Sequence, residues 1–238
     1  MGEVQIPGPH GPVGGYLAVP AADAGRVPAV VVLPEAFGLN DDIRAHADRL
    51  AAAEYIAFAP DLYGWGPKVR CVASTFASLA RGRGRAFDDI EAARAWLAGH
   101  ERSSGRVGVI GFCMGGGFAV ALAPRGGYGA AAPNYGLVPR NAERLLADAC
   151  PMVGSYGAKD WMAKGHAARL EKALTVAGIP HDVKEYPDTG HSFLNHHTGK
   201  AAAFDRILRT GYTPASAADA WDRILSFFAD HLQGSDIA

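Results

Sequence analysis

The amino-acid sequence predicts an α/β fold in which a mostly parallel central sheet carries helices on both faces. Apolar, β-branched runs of strand length alternate with segments that have the periodicity of helices, and this alternation requires βαβ crossovers. The run at residues 27–33 is apolar throughout, which is typical of a strand covered on both faces. Neither a linker nor an internal repeat interrupts the pattern, so we expect a single domain over residues 1–238.

The first elements of the chain are predicted from turn and capping residues. Residues 3–19 should form a hairpin at the edge of the sheet, because two short strand-like segments flank a turn at 7–11 that is rich in Pro and Gly. After the strand at 27–33, a helix is expected to begin at Asp41 and Asp42, since carboxylates favour the positive N-terminal end of a helix.

The alternation continues to the end of the chain. Further strands are predicted at 55–59, 106–112, 130–133, 151–156 and 182–186, and further helices at 87–97, 114–122, 141–149, 163–177 and 217–231. Residues 64–86, rich in Gly and Arg, form the one long connection and are a candidate lid or pocket loop.

Composition excludes several classes of protein. The 49% hydrophobic and 20% charged residues are typical of a globular protein, and a net charge of −1 provides no field to attract nucleic acid or an anionic membrane. The chain shows no signal peptide and no apolar run long enough to span a bilayer, so we expect a cytoplasmic protein. Cys71, Cys113 and Cys150 lack motif spacing, which argues against a disulfide framework.

A candidate nucleophile follows the strand at 106–112. Gly111 to Gly115 have the Gly-x-Ser-x-Gly pattern of a nucleophile elbow, with Cys113 in place of serine. In such an elbow the flanking glycines give the neighbouring backbone room, and the side chain is exposed where a helix N-terminus favours negative charge. The alternative is a buried structural cysteine, because free cysteines are commonly buried.

Two further residues complete a possible triad. Hydrolases with this elbow carry their triad in the order nucleophile, acid, histidine, and Asp160 and His191 follow Cys113 in that order, each in a loop after a predicted strand. Asp160 would hold the imidazole in the right tautomer, although it could equally be an ordinary helix N-cap. A loop histidine taken alone is usually just solvated. Together the three residues predict acyl transfer to water through an acyl-cysteine.

Glu35 follows the strand at 27–33, so it should lie at the same edge of the sheet as Cys113. A carboxylate near a thiol opposes formation of the thiolate. We therefore expect Glu35 to keep Cys113 neutral and resistant to oxidation until substrate binding changes the contacts of Glu35. The alternative is a solvated loop carboxylate.

Taken together, these motifs resemble those of the dienelactone hydrolase family of α/β-hydrolases over nearly the whole chain. The segments that carry the resemblance are Leu33-Pro34-Glu35-Ala36-Phe37-Gly38, Ala59-Pro60-Asp61-Leu62-Tyr63, Gly111-Phe112-Cys113-Met114-Gly115-Gly116, Asp160 and Gly190-His191-Ser192-Phe193. The resemblance implies an α/β-hydrolase fold, a monomer and cleavage of a small ester or lactone. No cofactor and no metal is expected.

The resemblance also implies roles for single residues. Cys113 would be the nucleophile, His191 the general acid and base, and Asp160 its orienting partner. Glu35 matches the glutamate that contacts the resting thiol and takes its proton when substrate binds. The backbone N–H groups that form the oxyanion hole are implied to be those of Met114 and Ala36.

The sequence departs from the family pattern where substrate is chosen. Enzymes that act on dienelactone place arginines at two positions where this chain has Trp65 and Asn195, so the bidentate carboxylate site is lost. We expect a neutral ester or lactone in a partly aromatic pocket that includes Phe37, Trp65 and Asn195. Four arginines of the long connection could supply the missing charge, although an arginine-rich loop is more often solvated; they are Arg70, Arg81, Arg83 and Arg85.

The sequence also bears on four functions other than hydrolysis, namely zinc binding, acyl transfer, ligand binding and thiol redox chemistry. His191, His196 and His197 suggest zinc, but no further ligand completes a set with metal spacing. Transfer of the acyl group to another acceptor uses the same residues and stays open. A ligand-binding protein whose chemistry has lapsed would not need the intact triad and Glu35. A thiol redox enzyme is disfavoured, because no second cysteine stands near Cys113 in the sequence to resolve a sulfenic acid.

Overall fold

Strands and helices alternate along the chain in a computed structural model, which describes residues 1–21, 25–197 and 211–233. The strands are β1 (Gly2–Ile6), β2 (Val13–Ala18), β3 (Val27–Leu33), β4 (Ile56–Pro60), β5 (Ser103–Phe112), β6 (Ala130–Asn134), β7 (Met152–Gly157) and β8 (His181–Tyr186). The helices are α1 (Asp41–Ala52), α2 (Lys68–Arg81), α3 (Arg85–Ala98), α4 (Met114–Leu122), α5 (Ala142–Leu145), α6 (His166–Ala177) and α7 (Pro214–Phe228).

The described strands form one sheet in the order β1-β2-β4-β3-β5-β6-β7-β8. β1 and β2 make an antiparallel hairpin at one edge, and β2 is also antiparallel to β4. All other neighbouring strands are parallel. The predicted α/β fold, with a mostly parallel sheet and an N-terminal edge hairpin, is confirmed.

Apolar side chains cover both faces of this sheet. One face packs against α3, α4 and α6, and the other packs against α1 and α7. All seven residues of β3 are buried, in agreement with its uninterrupted apolar sequence. Burial of each large aliphatic or aromatic side chain contributes about 1.5–3 kcal/mol to the free energy of unfolding, so the two layers stabilise the sheet from both sides.

The order of the strands creates a crevice at one end of the sheet. From β3 the chain crosses to β4 on one side, and β5 then pairs with β3 on the other side. Loops after strands that diverge in this way separate from each other, which is where ligands bind in open α/β sheets. Glu35 follows β3 and Cys113 follows β5, so both residues border this crevice.

The segment at 64–86 differs from the long connection that the sequence predicts, because most of it is the helix α2. Its buried face consists of small and polar side chains, Cys71, Thr75 and Ser78, rather than large aliphatic ones. The Thr75 and Ser78 hydroxyls donate to backbone carbonyls one turn earlier, both at 2.9 Å, so they can be buried without losing hydrogen bonds. Apolar residues nonetheless recur at helical spacing between Val69 and Leu79, so the sequence does contain a signal for this helix.

The helix predicted at 141–149 forms only the single turn of α5. The chain leaves it through a tight turn in which Ala149 N–H donates to Leu146 O at 3.2 Å. The last helix matches its prediction more closely and continues from α7 as a π-helical turn, Ala229–Gln233. No helix in residues 1–21, 25–197 and 211–233 combines the length and apolar character needed to cross a membrane.

Candidate active site

Cys113 lies in a strained turn between β5 and α4. Its φ of 53° and ψ of −109° lie in a region that residues with a side chain rarely adopt. Backbone hydrogen bonds maintain the turn, because Cys113 N–H donates to Asn134 O at 3.0 Å and Gly115 N–H donates to Pro34 O at 3.1 Å. Conformations of this kind cost about 1–3 kcal/mol and are found mainly at functional sites.

The two glycines that flank the elbow are required by close backbone approach. A Cβ atom on Gly111 would overlap the backbone of Gly115, and one on Gly115 would overlap the carbonyl group of Leu33. The elbow can therefore press against the end of β3 only if both positions lack a side chain. This contact brings Cys113 next to the loop that begins with Glu35.

Asp160 and His191 are in direct contact. Asp160 Oδ2 lies 2.6 Å from His191 Nδ1, and both side chains are buried. Asp160 Oδ1 also accepts hydrogen bonds from the N–H groups of Met162 at 2.9 Å and Ala163 at 3.2 Å. The carboxylate thus stabilises the turn that follows it and also binds the histidine. It is not a helix N-cap, because α6 begins only at His166.

The loop that carries His191 packs tightly against the end of β7. Lys159 N–H donates to Thr189 O at 3.0 Å. A Cβ atom on Gly157 would overlap the carbonyl oxygens of Thr189 and Gly190. The ring of Tyr135 contacts the His191 ring edge-on, with 5.0 Å between their centroids. The imidazole is therefore positioned by packing as well as by Asp160.

The charge state of His191 depends on both of its neighbours. Burial lowers the pKa of His191, but the hydrogen bond with Asp160 and the interaction with the Cys113 sulfur outweigh this effect and raise it to about 10. Its Nε2 atom is buried and has no well-formed hydrogen bond to any described residue. The Cys113 sulfur therefore raises the pKa of His191 by lying close to the ring, without a well-formed hydrogen bond. Nε2 remains available to a substrate.

Glu35 is buried at the same site, but its carboxylate does not form the expected hydrogen bond with the thiol. Its carboxylate accepts a hydrogen bond from Ser192 Oγ at 2.8 Å and lies 2.6 Å from His197 Nε2, whereas none of the hydrogen bonds between described residues joins it to Cys113. Burial raises the pKa of Glu35, but the interactions with His197, Ser192 and Asn195 outweigh it, so its pKa lies below the ordinary value. The donors Ser192 and His197 thus favour the ionised carboxylate.

The two backbone N–H groups expected in the oxyanion hole lie at the start of α4 and after β3. Within the described residues, neither Met114 N–H nor Ala36 N–H donates a hydrogen bond. The Tyr63 hydroxyl donates to Ala36 O at 3.2 Å and so holds the peptide group that follows Ala36, next to the one that carries the Ala36 N–H. Both N–H groups are available to an oxygen atom bound beside Cys113.

A cavity of about 360 Å³ opens at Cys113, and we call it the reaction cavity. Cys113, His191 and Glu35 border it. Apolar side chains make up most of its remaining wall, namely Phe37, Phe76, Leu79, Met114, Leu137 and Met162. No Lys or Arg of the described chain lines this cavity, so it is suited to an uncharged, apolar group next to the reacting bond.

Of the three predicted substrate-binding residues, only Phe37 lines the reaction cavity. Trp65 lies elsewhere, with the guanidinium groups of Arg70 and Arg85 at 5.5 and 4.4 Å from its ring centroid. Asn195 is fully buried, and its Oδ1 lies 2.8 Å from His46 Nε2 and accepts from the Tyr135 hydroxyl at 3.1 Å. The predictions for Trp65 and Asn195 are therefore corrected, because internal contacts turn both side chains away.

Several residues of the site are not apparent from the sequence. Phe76 and Leu79 belong to α2, which lies in the segment predicted as a long connection, and they reach the cavity through packing. Ser192 and His197 bind Glu35 across more than 150 residues of chain. The sequence presents His197 only as a metal-ligand candidate, and its pairing with Glu35 has no local signal.

The three histidines that suggest zinc have separate partners. His191 binds Asp160, His197 binds Glu35, and the His196 ring stacks against Tyr212 with 3.4 Å between centroids. Across the part of the chain that the structure describes, no three His, Cys, Asp or Glu side chains come together in a group that could hold a metal ion.

Comparison with known proteins shows that this chain is similar to hydrolases in both sequence and fold. Residues 13–232 match the model of the dienelactone hydrolase family. A Yersinia pestis protein named carboxymethylenebutenolidase is 28% identical over 97% of this chain and 88% of its own length. A Bradyrhizobium protein named 2-oxo-3-(5-oxofuran-2-ylidene)propanoate lactonase is 26% identical over 92% of this chain and 90% of its own. A crystal structure described as a dienelactone hydrolase from Klebsiella pneumoniae has a TM-score of 0.76 and 27% identity, covering 96% of this chain and 97% of that chain.

Proposed function

Because the chain belongs to the dienelactone hydrolase family, we propose that it hydrolyses a small ester or lactone through an acyl-cysteine at Cys113. One observation carries this proposal. Cys113 occupies a strained elbow beside the buried pair of His191 and Asp160, and all three lie at the same end of the sheet. A protein that only bound ligands would have no use for this combination of strain and charge.

In the first half of the reaction, the Cys113 sulfur attacks the carbonyl carbon while its proton resides on His191 Nε2. The carbonyl oxygen becomes negative and accepts hydrogen bonds from the N–H groups of Ala36 and Met114, each worth about 3 kcal/mol in the transition state. The bond to the leaving oxygen then breaks, and His191 returns the proton to that oxygen. The product is an acyl-cysteine and a free alcohol, or a single ring-opened acyl-cysteine if the substrate is a lactone.

In the second half, water attacks the acyl-cysteine. The acylated sulfur carries no charge, so its contribution to the raised pKa of His191 disappears and the imidazole becomes able to accept a proton. His191 takes that proton from water, the hydroxyl adds to the carbonyl carbon, and the carbon–sulfur bond breaks. The thiolate and the imidazolium are thereby restored, and a carboxylic acid is released. Asp160 keeps Nε2 directed at the reacting atoms in both halves.

We propose that Glu35 acts as a positioning residue. Its hydrogen bonds with Ser192 and His197 connect the loop of the catalytic histidine to the loop after β3 that carries the Ala36 N–H group. The transfer of a proton from Cys113 to Glu35, which the family resemblance implies, would require Glu35 to leave these two partners.

Other expectations remain proposals. Transfer of the acyl group to an acceptor other than water uses the same residues, and it would be detected as faster release of the acyl group when alcohols are added. A single domain over residues 1–238, a monomeric state and a cytoplasmic location are also still predictions.

The test is a comparison of the wild-type chain with Cys113→Ala on 4-nitrophenyl butyrate, an enol lactone and a carboxylated lactone. We expect the variant to lose roughly 10³-fold or more in kcat/KM, and mass spectrometry to detect an acyl adduct on Cys113 of the wild type. Cys150→Ala, which removes a partly buried thiol outside the cavity, should retain full activity. Wild-type rates in Cys113→Ala would disprove the mechanism.

A further inference from the structure

A second cavity lies beside the reaction cavity, and we call it the basic cavity. Its volume is about 620 Å³, and it shares Leu79, Gly117 and Leu137 with the reaction cavity as lining residues. The two spaces are therefore neighbours along one wall. A molecule that is longer than a simple ester and bound at Cys113 could extend from one into the other.

The basic cavity contains four positive charges that no acid compensates. Its arginines come from the end of α2, the turn after α4, the loop before α5 and the helix α6, and they are Arg81, Arg125, Arg140 and Arg169. No Asp or Glu among the described residues lines this cavity, and none forms an ion pair with these arginines. The whole chain has a net charge of only −1, so this concentration of positive charge is local.

Uncharged groups hold two of these arginines in place. Arg125 donates to the carbonyl oxygen of Gly82, and its guanidinium group lies 4.0 Å from the ring centroid of Phe87. Arg169 donates to Val138 O at 2.7 Å. Carbonyl oxygens and an aromatic ring orient a guanidinium group without neutralising its positive charge. Both side chains are therefore positioned before any ligand binds.

His166 adds a neutral donor to the same wall. Its Nδ1 atom accepts a hydrogen bond from Val138 N–H at 2.7 Å, so the proton of the neutral ring is on Nε2. Burial and then the nearby Arg169 lower the pKa of His166, and both effects favour the neutral ring. The arginines and His166 therefore all present N–H donors to this cavity, and such donors are what an oxyanion requires.

We propose that the basic cavity binds an oxyanion, a phosphate or a carboxylate, that the substrate carries at a distance from the bond attacked by Cys113. This inference rests on the proposed function and narrows its substrate class to amphiphilic esters. The reaction cavity would receive the apolar part, because no Lys or Arg of the described chain lines it, and the neighbouring arginines would receive the anion.

Among the arginines of the segment at 64–86, only Arg81 takes part in this site. Arg70 and Arg85 lie against Trp65, and Arg83 does not line either cavity. The anion site would thus lie apart from Trp65 and Asn195, the two positions that have no arginine in this chain.

The test measures binding directly, so it does not depend on catalysis. Isothermal titration calorimetry of the whole chain with octyl phosphate, nonanoate and octanol compares two anionic head groups with a neutral one on similar apolar chains. We expect at least one anion to bind about ten times more tightly than octanol, and the phosphate and carboxylate arms identify which anion is preferred. Octyl phosphate or nonanoate should also compete with 4-nitrophenyl butyrate.

The double variant Arg81→Gln/Arg140→Gln should lose this tenfold preference while its affinity for octanol and its hydrolysis of 4-nitrophenyl acetate stay unchanged. The control, Arg83→Gln/Arg144→Gln, removes two exposed arginines outside both cavities and should behave as wild type. Equal affinity of the wild type for all three ligands, or a preference retained in the first double variant, would overturn the inference. Failure to hydrolyse 4-nitrophenyl butyrate would instead refute the proposed function.

Discussion

His191 connects two residues that are far apart in the sequence. Its Nδ1 atom contacts Asp160, which precedes it by 31 positions, and its other nitrogen faces the cavity at Cys113. Because the carboxylate binds Nδ1, the proton available for catalysis can only be exchanged at Nε2. The chemistry proposed here therefore depends on one hydrogen bond of 2.6 Å between two buried side chains.

A second buried histidine, His46, has a different role. It is stacked on the ring of Phe112 with 4.3 Å between centroids, and its Nε2 atom lies 2.8 Å from Asn195 Oδ1. Burial lowers its pKa from 6.5 to about 4, although the hydrogen bond to Asn195 acts in the opposite direction. The folded protein therefore holds this ring neutral at a pH where the unfolded chain protonates it.

This difference predicts an acid sensitivity of the fold. Between pH 6.5 and pH 4 the unfolded chain binds a proton at His46 that the folded chain does not, so the free energy of unfolding should fall by roughly 3 kcal/mol as the pH decreases through this range. Urea unfolding at several pH values should show a smaller decrease in His46→Gln than in the wild type. Identical pH profiles for the wild type and His46→Gln would contradict the prediction.

At the scale of elements, the site depends on how closely loops approach the ends of strands. The elbow after β5 presses against β3, and the histidine loop after β8 presses against β7. Both contacts involve backbone atoms on each side, so they have no flexible side chain that could adjust to a misfit. The positions of Cys113 and His191 consequently depend on glycines that have no side chain to take part in the proposed reaction.

We expect Gly157→Ala to displace the histidine loop. Its Cβ atom would overlap the carbonyl oxygens of Thr189 and Gly190, and a shift of about 1 Å at a catalytic group can reduce kcat by about 10²-fold. Steady-state kinetics with 4-nitrophenyl butyrate measures this loss, and circular dichroism verifies that the fold is retained.

The matched control for this variant is Gly14→Ala in β2, because an added Cβ atom there meets nothing within 4 Å. It should retain the wild-type kcat. If Gly157→Ala is equally active, the histidine loop does not depend on this contact.

At the scale of the whole molecule, α2 borders both cavities. Phe76 on this helix lines the reaction cavity, Arg81 at its end lines the basic cavity, and Leu79 borders both. Phe76 remains 44% exposed although it lines the reaction cavity, so part of its ring is open to a bound molecule. A substrate with a longer acyl chain would cover this ring.

Phe76→Ala should therefore affect large substrates more than small ones. Loss of contact with the ring removes about 1–2 kcal/mol of apolar burial, so kcat/KM for 4-nitrophenyl hexanoate should fall about tenfold while that for 4-nitrophenyl acetate changes little. Val69→Ala, an exposed position on the same helix outside both cavities, is the control and should leave both values unchanged. Equal losses for the two esters would show that Phe76 acts on the catalytic groups rather than on the acyl chain.

Much of this architecture is apparent from local sequence patterns. The run at 27–33 and the elbow at Cys113 combine strong β-branched or glycine signals with short-range geometry, so they predict β3 and the turn before α4. The prediction misses α2 although apolar residues recur at helical spacing between Val69 and Leu79. Glycines and arginines on both sides of this stretch favour a loop, and they outweighed the periodic signal.

The sequence alone determined the alternating α/β order, the strained position of Cys113 and the chain order of Cys113, Asp160 and His191. Only the tertiary structure decided that Glu35 binds Ser192 and His197, that Trp65 and Asn195 turn away from the cavity, and that four arginines converge beside it. The physical reason is the separation along the chain between the residues that interact. Backbone conformation and helix or strand periodicity arise between residues that are close in sequence, whereas the partner of a buried charge and the wall of a cavity are set by packing between distant elements.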